Sequence, residues 1–322
     1  MMDWSDRHCR FFFRQLSPHA VLYTEMVTSG ALLHGDLARH LDFDPREHPL
    51  ALQLGGSEPD ELARCARLGE RWGYDEINLN CGCPSERVQH GAFGACLMAE
   101  PELVAHCVKA MRDATSLPVT VKHRLGIDSI EDYDFVRRFV ETVGRAGCRT
   151  FIVHARNAVL KGLSPKDNRQ IPPLKYDYVH RLKREFPDFE IVINGGLVDP
   201  DAAVAQLERT DGVMLGRAAY HDPCVLAEVE YRVFGTQPPA RSAVAERMHR
   251  YARHATARGT PLRAIARHML GLYHGQAGAR VWRRMLSDAR ALARNDPGLI
   301  LETAAAIESR APACEAPAAL TA

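Results

Sequence analysis

Short apolar, β-branched runs alternate with helix-length amphipathic segments from the first residues to about position 234, and this alternation leaves few folds open to the chain. The strand-like runs are 21–26, 50–54, 76–80, 118–122, 150–154, 191–194 and 212–215. Most are apolar along their whole length, as parallel strands buried on both faces require. Predicted helices lie between them at 58–72, 102–114, 130–146, 176–186 and 199–207, and another at 6–16 precedes the first run. Ser57 and Ser129 stand where N-caps are wanted, and Pro101 suits a first helical position. Strand then helix, repeated, means βαβ units.

A doubly wound sheet and a (β/α)₈ TIM barrel both satisfy that order. Gln53, Asn78, Asn80, Lys122, His154, Asn194 and Arg217 fall at or just after the C-terminal ends of successive runs, where a barrel builds its active site. No G-x-G-x-x-G opens the first helix, which argues against a dinucleotide-binding unit. The expectation is therefore an α/β barrel. Seven runs are visible, and the eighth should precede the helix at 6–16, so the first barrel strand is expected to be missing at the N-terminus.

Residues 235–239 (Gly-Thr-Gln-Pro-Pro) read as a linker. Beyond them come helical patterns at 243–258, 262–272, 277–293 and 298–310, broken by Gly259, Gly275 and Pro297. The expected domains are a barrel at 1–236, an all-α domain at 240–310 and a disordered Ala/Pro-rich tail at 311–322. Net charge over the chain is +1 but unevenly placed. Residues 241–310 hold 13 Arg, no Lys and five acids, whereas residues 1–240 hold 28 basic and 34 acidic side chains. Such a basic C-terminal quarter suits a polyanion-binding module; a helical bundle with a solvated basic surface accounts for it equally. Nine cysteines without framework spacing suit a reducing compartment. No apolar run reaches the ~20 residues of a membrane span, and no secretory signal opens the chain. The expectation is a cytoplasmic protein without a membrane or metal partner.

The sharpest local signal is Asn80-Cys81-Gly82-Cys83-Pro84-Ser85, followed by Gly91-Ala92-Phe93-Gly94. Cys83 is placed at the barrel mouth, on a loop held by a strand. A cysteine there can be a nucleophile, a metal ligand, a general acid or inert packing, and the zinc reading lacks companions. Gly195-Gly196 and Gly216-Arg217 follow the last two runs, where barrels often bind phosphate through backbone N–H groups. Ordinary loop geometry also explains such glycines. Lys122 and His154 end consecutive runs and should point into one mouth.

These motifs, with Leu52-Gln53-Leu54-Gly55-Gly56, Val121-Lys122, Ile152-Val153-His154-Ala155-Arg156 and Asn194-Gly195-Gly196, resemble the tRNA-dihydrouridine synthase family. The stretch Gly162-Leu163-Ser164-Pro165-Lys166-Asp167-Asn168-Arg169-Gln170-Ile171-Pro172-Pro173-Leu174 resembles its A-type subfamily, which acts on D-loop uridines 20 and 20a. The resemblance implies an FMN-binding barrel, a helical tRNA-binding domain and NADPH as reductant. It makes Cys83 the catalytic cysteine and Gln53, Lys122, His154, Asn194, Gly195, Gly196, Gly216 and Arg217 the FMN ligands. Met1 and Met2 match the end of the family's first strand, which gives FMN backbone contacts. Asn80 matches a residue near the substrate uridine, and Lys166, Arg169, Arg280, Arg283 and Arg284 fall in segments used for tRNA contacts. Oligomerisation is not expected.

The implied chemistry suits the residue types. The C4 carbonyl of uracil leaves C6 electron-poor, so hydride from reduced FMN adds there and the resulting enolate needs a proton at C5. An ordinary cysteine thiol is mostly protonated at neutral pH and can be that acid. A cationic Lys122 would stabilise anionic reduced flavin. Two rivals stand beside this: an FMN barrel dehydrogenase acting on a free pyrimidine, and a catalytically impaired tRNA-binding protein lacking its first strand.

Overall fold

In the computed structural model, which describes residues 1–85 and 91–308, the apolar runs form one sheet whose strands all pair in parallel. The strands are β1 (Leu22–Tyr23), β2 (Val27–Thr28), β3 (Leu50–Gly55), β4 (Glu76–Cys81), β5 (Val119–His123), β6 (Thr150–His154), β7 (Glu190–Asn194) and β8 (Gly212–Met214). From β3 to β8 each strand lies beside its successor, while β1 and β2 both pair with β3. Helices connect the strands, as in a (β/α)₈ barrel, with seven strand positions formed. Among the described residues no pairing joins β8 to β1 or β2.

The run 21–26, expected as one strand, is two pieces with a bulge between them. Leu22 and Tyr23 pair with Leu50 and Ala51, but Val27 and Thr28 pair with Leu54 and Gly55. One strand thus advances a residue further than its partner over the same distance. Thr24 repairs the ladder, its Oγ1 accepting the Gln53 N–H at 2.9 Å.

Alternation along the strands sorts side chains between two faces. Ile77 faces the helix Pro59–Trp72, which approaches so closely that a Cβ at Gly69 would stand 2.5 Å from Ile77 Cδ1. His123 likewise faces outward, its ring 5.0 Å from that of Phe139 on the helix Tyr133–Arg145. Asn78, Thr120 and Lys122 take the other phase and line the interior. Helix starts differ from expectation at two places. Glu58, not Ser57, precedes the helix opened by Pro59, and it makes no side-chain cap. Asp132, not Ser129, caps the helix Tyr133–Arg145 by accepting the Phe135 N–H at 2.9 Å. Ile127 and Ile130 exchange backbone hydrogen bonds, which puts Ser129 in a turn. Pro101 does open the helix Pro101–Ala114.

The chain divides into two compact units: Met1–Arg14 with His19–Ala218, and Gln15–Pro18 with the described residues from Ala219 on. The second unit is helical, with Cys224–Phe234, Arg241–Ala257, Leu262–Ala266, Ala279–Ser287, Ala289–Ala293 and Gly298–Glu308. The stretch 235–239 lies inside this unit, after Gly235 ends a helix at φ 74°. The helix expected at 277–293 is split at Asp288, which leaves helical geometry and caps the next helix through Ala291 N–H at 2.8 Å. The helix expected at 262–272 gives way to turns after Ala266. Buried Trp282 donates Nε1–H to Met269 O at 2.7 Å and packs against Tyr273. Arg310 and the tail at 311–322 lie outside the described residues. No described helix is long and apolar enough to cross a membrane.

Candidate active site

Strand register brings the interior amides of the first unit together. Gln53 lies beside Asn78, Asn78 beside Thr120, and Asn80 beside Lys122. Gln53 Nε2 donates to Asn78 Oδ1 at 2.9 Å, and Asn78 Nδ2 to Thr120 Oγ1 at 2.8 Å. Thr120 Oγ1 in turn donates to Glu76 Oε1 at 2.5 Å. In the other direction, Asn80 Nδ2 donates to Gln53 Oε1 at 2.9 Å. Asn80 Oδ1 accepts the N–H groups of both Gly82 and Cys83 at 3.0 Å. The turn after β4 is thereby fixed, and Cys83 is left half-buried with Sγ 3.5 Å from Ser85 Oγ. Asn80, expected near the substrate, spends much of its hydrogen-bonding capacity on holding this loop.

Lys122 and His154 share the same mouth. Lys122 Nζ donates to Asn194 Oδ1 at 3.1 Å, and Asn194 Nδ2 to Met214 O at 2.8 Å. Burial, with the Arg124 charge beside it, pulls the Lys122 ammonium down to about 7. The cationic Lys122 expected from sequence is one paired with an anionic flavin; without that partner, burial leaves its charge weakly held. His154 is buried, and that burial, reinforced by Arg124, Lys122, Arg156 and Arg169, holds its pKa well below the usual histidine value. At neutral pH it is an uncharged imidazole and not a proton donor of ordinary strength. Gly195 and Gly196 follow at φ 105° and 73°. A Cβ on Gly195 would stand 2.5 Å from His154 Cδ2, so only glycine lets this loop close over the ring. Tyr176 OH donates to Gly195 O at 2.6 Å. A Cβ on Gly216 would have Met1 Sδ as its nearest neighbour at 3.6 Å, and Met2 is exposed.

Four arginines complete the mouth, two of which sequence reasoning did not single out. Arg124, almost fully buried, donates Nε–H to Gly82 O at 2.9 Å and Nη1–H to Asn157 O and Asn168 O at 2.8 and 2.9 Å. Arg156 Nη1 donates to Gln170 O at 3.2 Å and to Pro172 O. Arg217 Nη2 donates to Arg169 O at 3.0 Å. Arg169 itself is half-buried, and its Nε has no hydrogen-bond partner among the described residues. Burial and neighbouring arginines lower the pKa of Arg124, Arg156 and Arg169, while the sulfur of Cys83 offsets this at Arg124 and Arg169. Cations crowded together and paired mainly with carbonyls suit an anionic ligand. The glycine turn after β7 and this charge fit a phosphate-bearing cofactor. The signal for Arg124 was its place two residues after Lys122 on β5, one full strand period.

Lys166 is exposed on the segment after β6. Arg280, Arg283 and Arg284 are exposed on the helix Ala279–Ser287 of the second unit, spaced to share one face. Arg280 and Arg283 line a concavity of about 510 Å³ with His274 and Gly278. No group of three or more side chains able to hold a metal ion is present among the described residues.

Comparison with known proteins adds to this geometry. The family model described as Dihydrouridine synthase (Dus) matches residues 1–310. The tRNA-dihydrouridine(20/20a) synthase of Pseudomonas putida is 58% identical over 289 residues, 89% of this chain and 86% of that protein. The protein of the same name from Xanthomonas campestris is 56% identical over 288 residues, 89% and 86% of the two chains. That from Synechocystis is 53% identical over 302 residues, 93% and 90%.

Gly195→Ala should lower folding stability by about 1–3 kcal/mol through left-handed strain and overlap with His154. Chemical denaturation measures this, and unchanged stability would mean that the loop after β7 does not close over the ring.

Proposed function

The chain belongs to the dihydrouridine synthase family, and on that premise we propose that it reduces the C5=C6 bond of D-loop uridines 20 and 20a in tRNA to 5,6-dihydrouridine. FMN is its bound cofactor and NADPH its reductant. The observation that carries the reading is Cys83, half-buried and held at a strand end by Asn80 among Lys122, Arg124 and Arg169.

Gln53, Lys122, His154 and Asn194 would hold the isoalloxazine, and Gly195, Gly196, Gly216 and Arg217 the phosphate, with backbone contacts from Met1 and Met2. When bound, FMN supplies the hydride that adds at uracil C6. Cys83 gives its Sγ proton to C5, which completes the reduction, and solvent reprotonates the sulfur afterwards. Lys122, Arg124 and Arg169 stabilise the thiolate left behind. Neutral His154 is the weaker candidate for this proton, which favours Cys83. The base must leave its stack to reach the mouth, and phosphate contacts from Lys166, Arg169, Arg280, Arg283 and Arg284 would hold the RNA while it does. The relatives' names favour tRNA over a free pyrimidine as substrate. The eight free cysteines of the described residues suit the cytoplasm, where we place a monomeric enzyme.

Cys83→Ala should remain yellow and oxidise NADPH like the unmodified enzyme while losing uridine reduction, read by liquid chromatography of digested tRNA. Normal dihydrouridine formation by the variant would remove Cys83 from the mechanism.

Lys122 predicts a pH dependence of cofactor affinity. With a pKa of about 7 in the ligand-free protein, Lys122 is increasingly neutral as pH rises. An anionic cofactor restores its proton, so FMN affinity should fall above pH ~7, by up to about tenfold per unit while bound Lys122 stays charged. Fluorescence titration between pH ~7 and ~9 should show this slope in the unmodified protein and a flat profile in Lys122→Met; the same slope in both would assign it elsewhere.

A further inference from the structure

The segment after β6 leaves the strand at His154, passes through a single 3₁₀ turn at Asp167–Arg169 and enters the helix Tyr176–Glu185. It is fixed from inside and from outside. Inside, Asn168 is fully buried and its side chain serves the segment alone: Oδ1 accepts the Val159 N–H at 2.7 Å. Its Nδ2 donates to the carbonyls of Val159, Leu163 and Ser164. Outside, four consecutive or near-consecutive carbonyls meet arginines from three different strand ends. Asn168 O meets Arg124, Arg169 O meets Arg217, and Gln170 O and Pro172 O both meet Arg156. Arg124 also holds the Gly82 carbonyl next to Cys83, and Arg217 opens the helix Arg217–His221 after β8.

We infer that Arg156 is a positioning residue that fixes the segment 162–174 against the barrel mouth, so that Arg169 and Lys166 meet the RNA while the target uridine reaches Cys83. This rests on the proposed reduction of tRNA uridines. Arg156 is suited to the task because its two hydrogen bonds fall on the far side of the Arg169–Gln170 turn from Asn168. Without it, the stretch 170–173 keeps no side-chain anchor or strand partner, only the buried Pro172 and the Gln170 and Ile171 N–H bonds to Asp167 O. Gln170, Ile171, Pro173 and Leu174 are exposed, so burial alone does not hold them. A guanidinium spans two carbonyls at once, whereas an ammonium on a lysine stem meets them less rigidly. Arg124 and Arg217 cannot substitute, since each is committed to a carbonyl earlier in the segment. Misplacement of a substrate-holding segment by ~1 Å is enough to lower turnover by as much as 100-fold.

The test compares the FMN-loaded unmodified chain with Arg156→Ala and Arg156→Lys. Three readouts are needed: bound flavin with its RNA-independent NADPH oxidation, kcat and KM for tRNA lacking dihydrouridine, and trypsin cleavage after Lys161, Lys166 and Arg169. In Arg156→Ala, turnover is taken per bound flavin, so that any loss of cofactor from the cationic mouth is separated from the effect on tRNA. The value of kcat/KM for tRNA should fall roughly 10- to 100-fold, and trypsin should cut within the segment where the unmodified protein resists. Arg156→Lys should fall between the two. Unchanged kcat/KM in Arg156→Ala, or equal cutting of all three proteins, would overturn the inference. So would loss of flavin and of thermal stability in both variants, which would make Arg156 a general stabiliser. If the unmodified protein does not reduce tRNA at all, the functional reading fails, and the trypsin arm alone still decides whether Arg156 fixes the segment.

Discussion

Inside the first unit, hydrogen bonds are passed in one direction from the turn that carries Cys83 down to a half-buried carboxylate. The Cys83 N–H donates to Asn80, Asn80 to Gln53, Gln53 to Asn78, Asn78 to Thr120 and Thr120 to Glu76. Each amide accepts on its oxygen and donates from its nitrogen, so the members polarise one another and share one orientation. Tyr23 OH also donates to Glu76 at 3.0 Å, which ties β1 to the end of the chain. Burial raises the Glu76 pKa, and these hydroxyl donors oppose that rise. Removing any member leaves buried neighbours unpaired, at about 1–3 kcal/mol for each group. The cysteine is therefore placed by the barrel interior and not only by its own loop. The bulge at Thr24 belongs to the same arrangement, because it serves the Gln53 N–H and leaves the Gln53 side chain free to point inward.

Beside this amide chain the mouth is made of cations. Lys122, Arg124, Arg156 and Arg217 are fastened to side-chain or backbone carbonyl oxygens, and the half-buried Arg169 side chain adds its charge beside them. Carbonyl partners leave their net charge uncancelled, and burial strengthens the field they create. Burial first, and that field second, lower the Lys122 pKa and keep His154 neutral. It is the same field that would draw in a cofactor phosphate and an RNA backbone. One arrangement of charge thus sets both what binds and which group carries the proton.

Much of this was legible in the sequence, for identifiable reasons. Strands buried on both faces announce themselves as continuous apolar runs, and polar residues at their C-terminal ends mark the mouth, so the barrel and the positions of Gln53, Lys122, His154 and Asn194 could be read directly. The bulge at residues 24–26 could not be read, because it depends on Thr24 taking over a ladder bond. Helix caps at Ser57 and Ser129 were misread, since Pro59 and the Ile127–Ile130 pairing override local capping preference. Arg124 and Arg156 were hidden for a different reason. Their partners are backbone carbonyls up to 44 residues away, and no residue pattern encodes a carbonyl. Asp288 breaks a helical periodicity that reads as continuous, because its cap competes with helix propagation.

The most direct test of the account is chemical. The purified chain, supplied with FMN and NADPH, would be incubated with tRNA that lacks dihydrouridine, and the RNA digested and mapped by mass spectrometry. The account predicts a gain of two hydrogens for each of uridines 20 and 20a on the D-loop fragment that contains them, and on no other fragment. A flavin-loaded protein that oxidises NADPH yet leaves every tRNA fragment unchanged in mass would contradict it.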